Sequence, residues 1–497
     1  MKKIIVLTIV LLFQFSFSQD VFDGMRFANH QQFGTARFTA LGGAMGALGG
    51  DFSAMNVNPA GSAIFNENQF SGTFNIANYK NKSNYFGSLN TTTDTNLDIS
   101  QAGVVWVFTE NKKADWDKIT FAINYEKTNN FTSDNVTAGF NPNNSVANYF
   151  LSYANGVPIN DIVNNDFENL SYGKQQVFLG YEGYIISNQI GSTTQYKSDI
   201  SGNGNFYQRN AVQSLGYSSK VNFNLGSSYK NRYFFGVNLN AHFTDFTRSA
   251  TFTEDYRSSP GHLTNTGVQS IRFTNDLYTY GTGFSAQFGA IAKITDSFRA
   301  GLAYESPTWF RLNDELQQTL NITCSDCGTN PNTFFADPNL KVIYPTYRLR
   351  TPSKTTASLA YIIGKKGLLS LDYALKNYSG TKFGPSGDYS NVNNEMNATF
   401  SEKASEIRLG GEYRIKQISL RAGYRYEQSP YMNQKTIGDL TAISGGLGYD
   451  FGNFKMDFAV MNYSQNSQQQ FFSQGLIDRA AIDSNFTNST VTFVFKL

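Results

Sequence analysis

The sequence predicts an all-β protein: a 14-stranded antiparallel transmembrane β-barrel with an N-terminal hatch, or plug, inside its lumen. Three observations predict it. Apolar and polar residues alternate with period two from about residue 70 to the C-terminus, as in strands whose faces meet different surroundings. The connections between these segments alternate short and long, as in a barrel with tight turns at one rim and loops at the other. An export signal precedes them all.

The signal comprises residues 1–18. Lys2 and Lys3 precede an apolar core, Ile4 to Phe15, and Ser16-Phe17-Ser18 places cleavage before Gln19. That core is too short to anchor the chain, since a spanning helix needs about 18 or more apolar residues. Mature residues then carry 38 basic and 38 acidic side chains, a balance that argues against nucleic acid as a partner. Mean hydropathy is −0.36. A membrane barrel is compatible with that value, because lipid-facing and lumen-facing residues cancel.

Two segments show the alternation. In "FFGVNLNAHF", Phe235, Val237, Leu239, Ala241 and Phe243 face one way and Gly236, Asn238, Asn240 and His242 the other. In "IRLGGEYRI", Ile407, Leu409, Tyr413 and Ile415 oppose Arg408, Glu412 and Arg414. Fourteen such segments are expected at 68–80, 98–109, 116–127, 219–230, 232–245, 278–294, 297–306, 347–363, 367–377, 402–415, 417–428, 439–451, 453–463 and 487–497. Short turns are expected at Asn111-Lys112-Lys113, Asn231, Thr295 to Ser297, Gly364 to Gly367, Lys416-Gln417 and Gly452-Asn453. Long loops are expected at 81–97, 128–218, 246–277, 307–346, 378–401, 429–438 and 464–486. The domain reading is a signal at 1–18, a hatch at 19–66 and a barrel at 67–497.

The hatch is read from "TALGGAMGALGGDFSAMNVNPAGSAIF", Thr39 to Phe65, which carries one charged residue, Asp51. A free periplasmic tail is polar, whereas this region holds Phe27, Phe33, Phe38, Met45 and Met55. Its glycines permit sharp turns and close backbone contact.

At these residues the chain resembles the FadL family of outer-membrane transporters of long-chain fatty acids and other hydrophobic compounds. The resemblance runs from Gly34 to Gly61, ends on Asn58-Pro59-Ala60-Gly61 before the first strand, and returns in "RAGLAYESPT", "LDYALKNYS" and "LRAGYRYEQSP". It implies a bacterial outer-membrane location. It implies passive uptake: capture at the outer loops, an apolar pocket above the hatch, and release by hatch movement or a gap in the wall. Gly42, Gly43, Asn58, Pro59, Ala60 and Gly61 are the candidate gating residues. Phe27, Phe33, Phe38, Met45 and Met55 are the candidate pocket.

Arg299, Arg408, Arg421 and Arg425 fall on inward rows with Glu305, Glu412 and Glu427. They form a lumen ion-pair network or bind a substrate carboxylate. Cys324 and Cys327 lie in an expected outer loop without further Cys or His ligands nearby, which favours a disulfide over a metal site. No cofactor is expected, and no enzyme: of His30, His242 and His262 only His242 is placed to assist a serine. The expected partners are a hydrophobic small molecule and the bilayer lipid. The alternative is a FadL-like barrel acting as the protein-binding subunit of a secretion or assembly machine. Its partner would meet loop 128–218, through "NYFLSYANGV" and "QQVFLGYEGYIISNQI".

Overall fold

The computed structural model describes residues 19–109, 115–327 and 334–497. The expected signal at 1–18 and the turn Asn111-Lys112-Lys113 lie outside the described residues. The barrel strands are β1 (Gln69–Tyr85), β2 (Ser88–Thr109), β3 (Trp116–Asn130, continued by Ser133–Asn141), β4 (Phe206–Tyr229), β5 (Tyr233–Asp255), β6 (Val268–Lys293) and β7 (Phe298–Glu305, continued by Trp309–Cys324). They continue with β8 (Tyr347–Arg350 and Lys354–Ile363), β9 (Gly367–Lys376), β10 (Ala404–Ile415), β11 (Ile418–Glu427), β12 (Ile437–Asp450), β13 (Phe454–Gln470) and β14 (Arg479–Lys496). Each pairs antiparallel with its neighbours, and β14 closes on β1 from Gln69↔Lys496 to Asn84↔Ala481. Closure of β14 on β1 removes the two terminal edges of the sheet, as strands that cross a bilayer require.

Alternation sorts the faces. Phe235, Leu239 and Phe243 are exposed on the outer surface, while Asn238, Asn240 and His242 are buried on the inner one. Leu369, Leu371 and Tyr373 of β9 continue the outer apolar band, and Asp372 between them points inward.

Several strands outrun their expected spans. The expected loop at 81–97 is instead a long β1–β2 hairpin turning at Phe86-Gly87. The expected loop at 128–218 contains the second half of β3 and the start of β4, so the true connection is 142–205. Above the bilayer both strand faces meet polar surroundings, so period two disappears from the sequence while the ladder continues. Within 142–205, helices α4 (Ala147–Ala154) and α6 (Tyr172–Glu182) pack their apolar residues into a core with Phe252, Phe273, Leu320 and Phe472. The two apolar stretches expected to meet a protein partner are therefore largely buried as a roof on the barrel. Cys324 and Cys327 are joined by a disulfide in this roof, with Cα atoms 5.7 Å apart.

Residues 19–66 fold inside the lumen. Helix α1 (Val21–Ala28) carries a capping box made by Asp20 and Asp23. It packs in the upper lumen against Phe310, Tyr347, Phe383 and Met396. Helix α2 (Ala36–Ala40) is capped by Thr35, whose Oγ1 accepts from the Phe38 N–H at 3.2 Å. After α3 (Ala54–Val57), Asn58 caps a final 3₁₀ turn with Pro59 in its first position, and this turn leads to β1.

Wall glycines seat the hatch. Gly226, Gly236 and Gly289 are directly paired neighbours on β4, β5 and β6. A Cβ on any of them would collide with Ser62, Pro59 or Asn58. Gly410 and Gly423, paired on β10 and β11, receive Leu41 and Gly42 in the same way. Gly42 itself has φ +61°, a conformation that favours glycine.

This seat makes a prediction. Gly236→Val should leave barrel closure intact, read as an unchanged heat-modifiable gel shift, yet admit large antibiotics past an unseated hatch. Gly72→Val, where an added Cβ meets open space, should change neither.

Candidate functional site

Two kinds of wall chemistry hold the hatch. On β4 to β6 the contacts are amides to backbone. Asn238 Nδ2 donates to Met55 O at 2.8 Å, Asn224 Nδ2 to Pro59 O at 3.0 Å and Gln287 Nε2 to Asn56 O at 3.0 Å. Asn58 Nδ2 ties two hatch turns and the wall together, donating to Gly46 O at 2.8 Å and to Ala290 O at 3.1 Å. On β8 to β12 the contacts are ionic. Glu412, its side chain fully buried, accepts from Arg37 of the hatch at 3.0 Å, Arg421 at 2.8 Å and Arg414 at 2.6 Å. Asp372 accepts from the Met45 and Gly46 N–H groups at 3.1 and 3.0 Å.

The candidate arginines thus occupy distinct positions. Arg408 and Arg425 share Glu406, Arg425 also pairs with Glu427, and Lys376 lies 3.7 and 3.6 Å from Glu406 and Glu427. Arg408 reaches the hatch at Gly43 O, 3.4 Å away. Arg421 bridges Glu412 and Asp457. Arg299 has no acidic partner among the described residues and donates to Leu48 O at 3.2 Å. Glu305 pairs with Lys354.

A cavity of about 100 Å³ lies between α1 and α2. Charged and amide groups dominate its lining, notably Glu126, Lys127, Lys220, Glu305, Lys354 and Arg425. Lys220 is only 6% exposed. It makes no hydrogen bond or ion pair among the described residues, and it lines this chamber. His30 also lines it, and burial pushes the imidazole pKa down to about 4, so the ring is neutral near pH 7. In the hatch below, burial raises the Asp51 carboxyl while Arg37 and Thr35 pull it the other way.

Of the candidate pocket residues, Phe33 and Phe38 line this chamber. Phe27 packs in the aromatic cluster around α1. Met45 packs against Ala360 and Leu368, and Met55 against Phe52, Phe65 and Val105. The five do not line one cavity. The apolar pocket expected directly above the hatch is replaced there by a polar one, because the inner faces of β3, β4 and β8 to β11 contribute charged side chains at that level.

A second cavity, about 340 Å³, lies higher between α1 and the roof. Its walls include Phe252, Leu277, Leu316, Phe471 and Phe472, with Arg26 and Arg248 at one side. Arg26 is held by Asp23 and lies over the Phe246 ring at 4.2 Å. Arg248 makes no hydrogen bond or ion pair among the described residues. This chamber was hidden in the sequence, because its parts come from eight separate segments.

The wall itself is interrupted beside the lower chamber. The β2–β3 ladder runs from Thr109↔Lys118 to Gln101↔Glu126 and stops. Above it, Ser88 to Ser100 pair only with β1, and Ser133 to Asn141 only with β4. The break at Phe131-Thr132 separates the two halves of β3. Side chains close the slot: Asn90 Nδ2 donates to Ala138 O at 3.1 Å, Ser83 Oγ to Val136 O at 3.0 Å, and Lys127 pairs with Asp98. Lys127 also lines the chamber, so one side chain belongs to both cavity and slot.

The histidines take structural partners. His242 Nε2 lies 2.8 Å from Ser285 Oγ within the buried amide network. His262 bridges two outer loops, to Ser201 Oγ and Gln269 Oε1, both at 2.8 Å.

A family model described as outer membrane protein transport protein (OMPP1/FadL/TodX) matches residues 186–496. The chain belongs to this family. It is therefore an outer-membrane β-barrel of a transport-protein family. Among solved structures it resembles a Pseudomonas aeruginosa FadL homologue, with TM-score 0.54 and 13% identity over 94% of this chain and 99% of that one. The P. putida toluene transporter TodX gives TM-score 0.53 and 13% identity, again over 94% and 99%. At such identity the likeness is one of fold. No curated protein matches the chain.

Glu412→Gln should cost about 3–5 kcal/mol, because three guanidiniums lose their shared buried carboxylate. The loss is checked by thermal unfolding in detergent and by protease cleavage within residues 35–60.

Proposed function

We propose that this protein is an outer-membrane channel for passive uptake of long-chain fatty acids and related hydrophobic molecules, released sideways through the β2–β3 slot. The observation that carries this is the unpaired pair of strand edges beside a chamber that shares Lys127 with them. The description of TodX as a toluene transporter supports a hydrophobic cargo.

The physics follows the two chambers. Transfer of an apolar tail from water gains about 25 cal/mol per Å² buried, and the aromatic walls of the upper chamber supply that surface. Arg248 offers an unengaged guanidinium, whose planar fork suits a carboxylate. The lower chamber is too small for a chain but accommodates a head group, which meets Lys220. A carboxylate arriving there competes with Asp98 for Lys127. Loss of that pair frees the lower end of the slot, between Asp98 and Asn130, where the wall re-enters the bilayer, and the tail leaves there without displacing the hatch.

Two tests address it. Arg248→Gln should lower cellular uptake of oleate roughly 10- to 150-fold, the worth of about 1.5–3 kcal/mol for a charged hydrogen bond, and leave oleyl alcohol uptake unchanged. Equal loss for both cargoes would refute the head-group role. In a Cys324→Ser/Cys327→Ser background, an Asn96→Cys/Thr132→Cys cross-link over the lower end of the slot, where Asn96 Nδ2 reaches Thr132 O, should stop oleate uptake until it is reduced. Undiminished uptake in the cross-linked protein would rule out the sideways route.

A further inference from the structure

Beneath the hatch, facing the periplasm, is a third cavity of about 350 Å³. Six cationic side chains line it: Arg37, Lys365, Arg414, Lys416, Arg421 and Lys455. The carboxylates around it are already engaged. Asp51 accepts from Thr35 Oγ1 at 2.8 Å and the Ser53 N–H at 2.9 Å, Asp457 is paired with Arg421, and Asp450 lies 3.4 Å from Lys455. Glu412, behind the wall of the cavity, divides its two oxygens among Arg37, Arg414 and Arg421. A guanidinium has five N–H donors and a carboxylate has about four acceptor sites, so three arginines on one carboxylate leave donors over. Lys365 and Lys416 stand at the rim, exposed and without an ion pair among the described residues.

We propose that this vestibule is a binding site for a phosphate or carboxylate group presented from the periplasmic side. Arg414 and Arg37 supply the inner donors, and Lys365 and Lys416 supply charge at the rim. The site is separate from the upper chambers: Leu41 and Gly42 of the hatch press on Gly410 and Gly423 between them. It has a direct line to the hatch, because Arg37 is a hatch residue. An anion in the vestibule competes with Glu412 for that side chain. The same chemistry can come from the head group of a phospholipid in the periplasmic leaflet or from a free anion in solution. The cavity is open to both.

Lysine acetylation read by mass spectrometry on the full-length protein tests the site and separates the sources. Lys230, exposed on the β4–β5 turn at the same rim, is the internal control. Inorganic phosphate added to the detergent-solubilised protein should slow acetylation of Lys365 and Lys416 relative to Lys230, which identifies a free anion as sufficient. Selective protection in phosphatidylglycerol nanodiscs, absent in phosphatidylcholine nanodiscs and with phosphate, identifies the lipid head group. Arg414→Gln, with a half-exposed side chain and folding checked by the gel shift, should abolish protection of Lys416. Lys220→Gln, which changes only the lower of the two chambers above the hatch, should preserve it. Failure of both phosphate and phosphatidylglycerol to protect Lys365 and Lys416 beyond Lys230 overturns the proposal, and so does full protection in Arg414→Gln. Neither result bears on oleate uptake, so this site and the uptake reading stand or fall separately.

Discussion

The interior of this barrel depends on backbone meeting backbone. A lumen bounded by fourteen strands is too wide to be filled by wall side chains alone, so some fifty residues of hatch fold into it. Those residues bring unpaired N–H and C=O groups into a buried place, and each needs a partner. Glycine on the wall at Gly226, Gly236, Gly289, Gly410 and Gly423 lets the hatch come close enough for neighbouring Asn, Gln, Arg and Asp side chains to reach those groups. Larger wall residues at those points would push the hatch away and leave its amides unsatisfied, at about 1–3 kcal/mol each.

The two sides of the seat differ in kind. Neutral amides hold the hatch at β4 to β6, and charges hold it at β8 to β12. An amide contact is lost only by moving the backbone it grips. An ionic contact can be exchanged for another ion of the same sign. An anion can therefore compete for the hatch wherever a cation meets it, at Arg37 and Arg408 on the β8 to β12 side, at Arg299 on β7 and at Lys118 on β3. The upper slot lies elsewhere, between β2 and the second half of β3. Opening of the slot and anchoring of the hatch thus make separate demands on the wall.

The faces of the bilayer-crossing strands were legible because alternation there reflects two different solvents. Asn238, Asn240 and His242 could be placed inward from "FFGVNLNAHF" alone. The glycine-rich start was legible as a lumen segment because it combined many apolar residues with almost no charge. Legibility ended where the solvents became alike. The β1–β2 hairpin beyond the bilayer reads "KNKSNYFGSLNTTTDTNLD", polar on both faces, a pattern that predicts a loop. Met45 and Met55 looked like pocket residues because apolar side chains in a glycine-rich segment lack an obvious core. Their core is the wall itself, at Ala360, Leu368 and Val105. The chambers were invisible for a further reason. Lys220, Arg248 and Lys127 lie on different strands, and nothing local distinguishes them from other lumen cations. What sets Lys220 and Arg248 apart is the lack of a direct ion pair among the described residues, which only the assembled structure reveals.

That lack carries an energetic consequence. A cation buried without a counter-ion destabilises a fold, commonly by several kcal/mol, and most of this lumen avoids the problem through the networks around Glu406 and Glu412. Lys220 and Arg248 lack a direct pair and face their carboxylates across a cavity, Lys220 with Glu126 and Glu305 and Arg248 with Asp20 and Asp23. In the uptake proposed above, an anionic head group would supply both cations with the direct contact they lack. Departure of the head group would then return Lys127 to Asp98, and Lys220 and Arg248 to the carboxylates across their cavities.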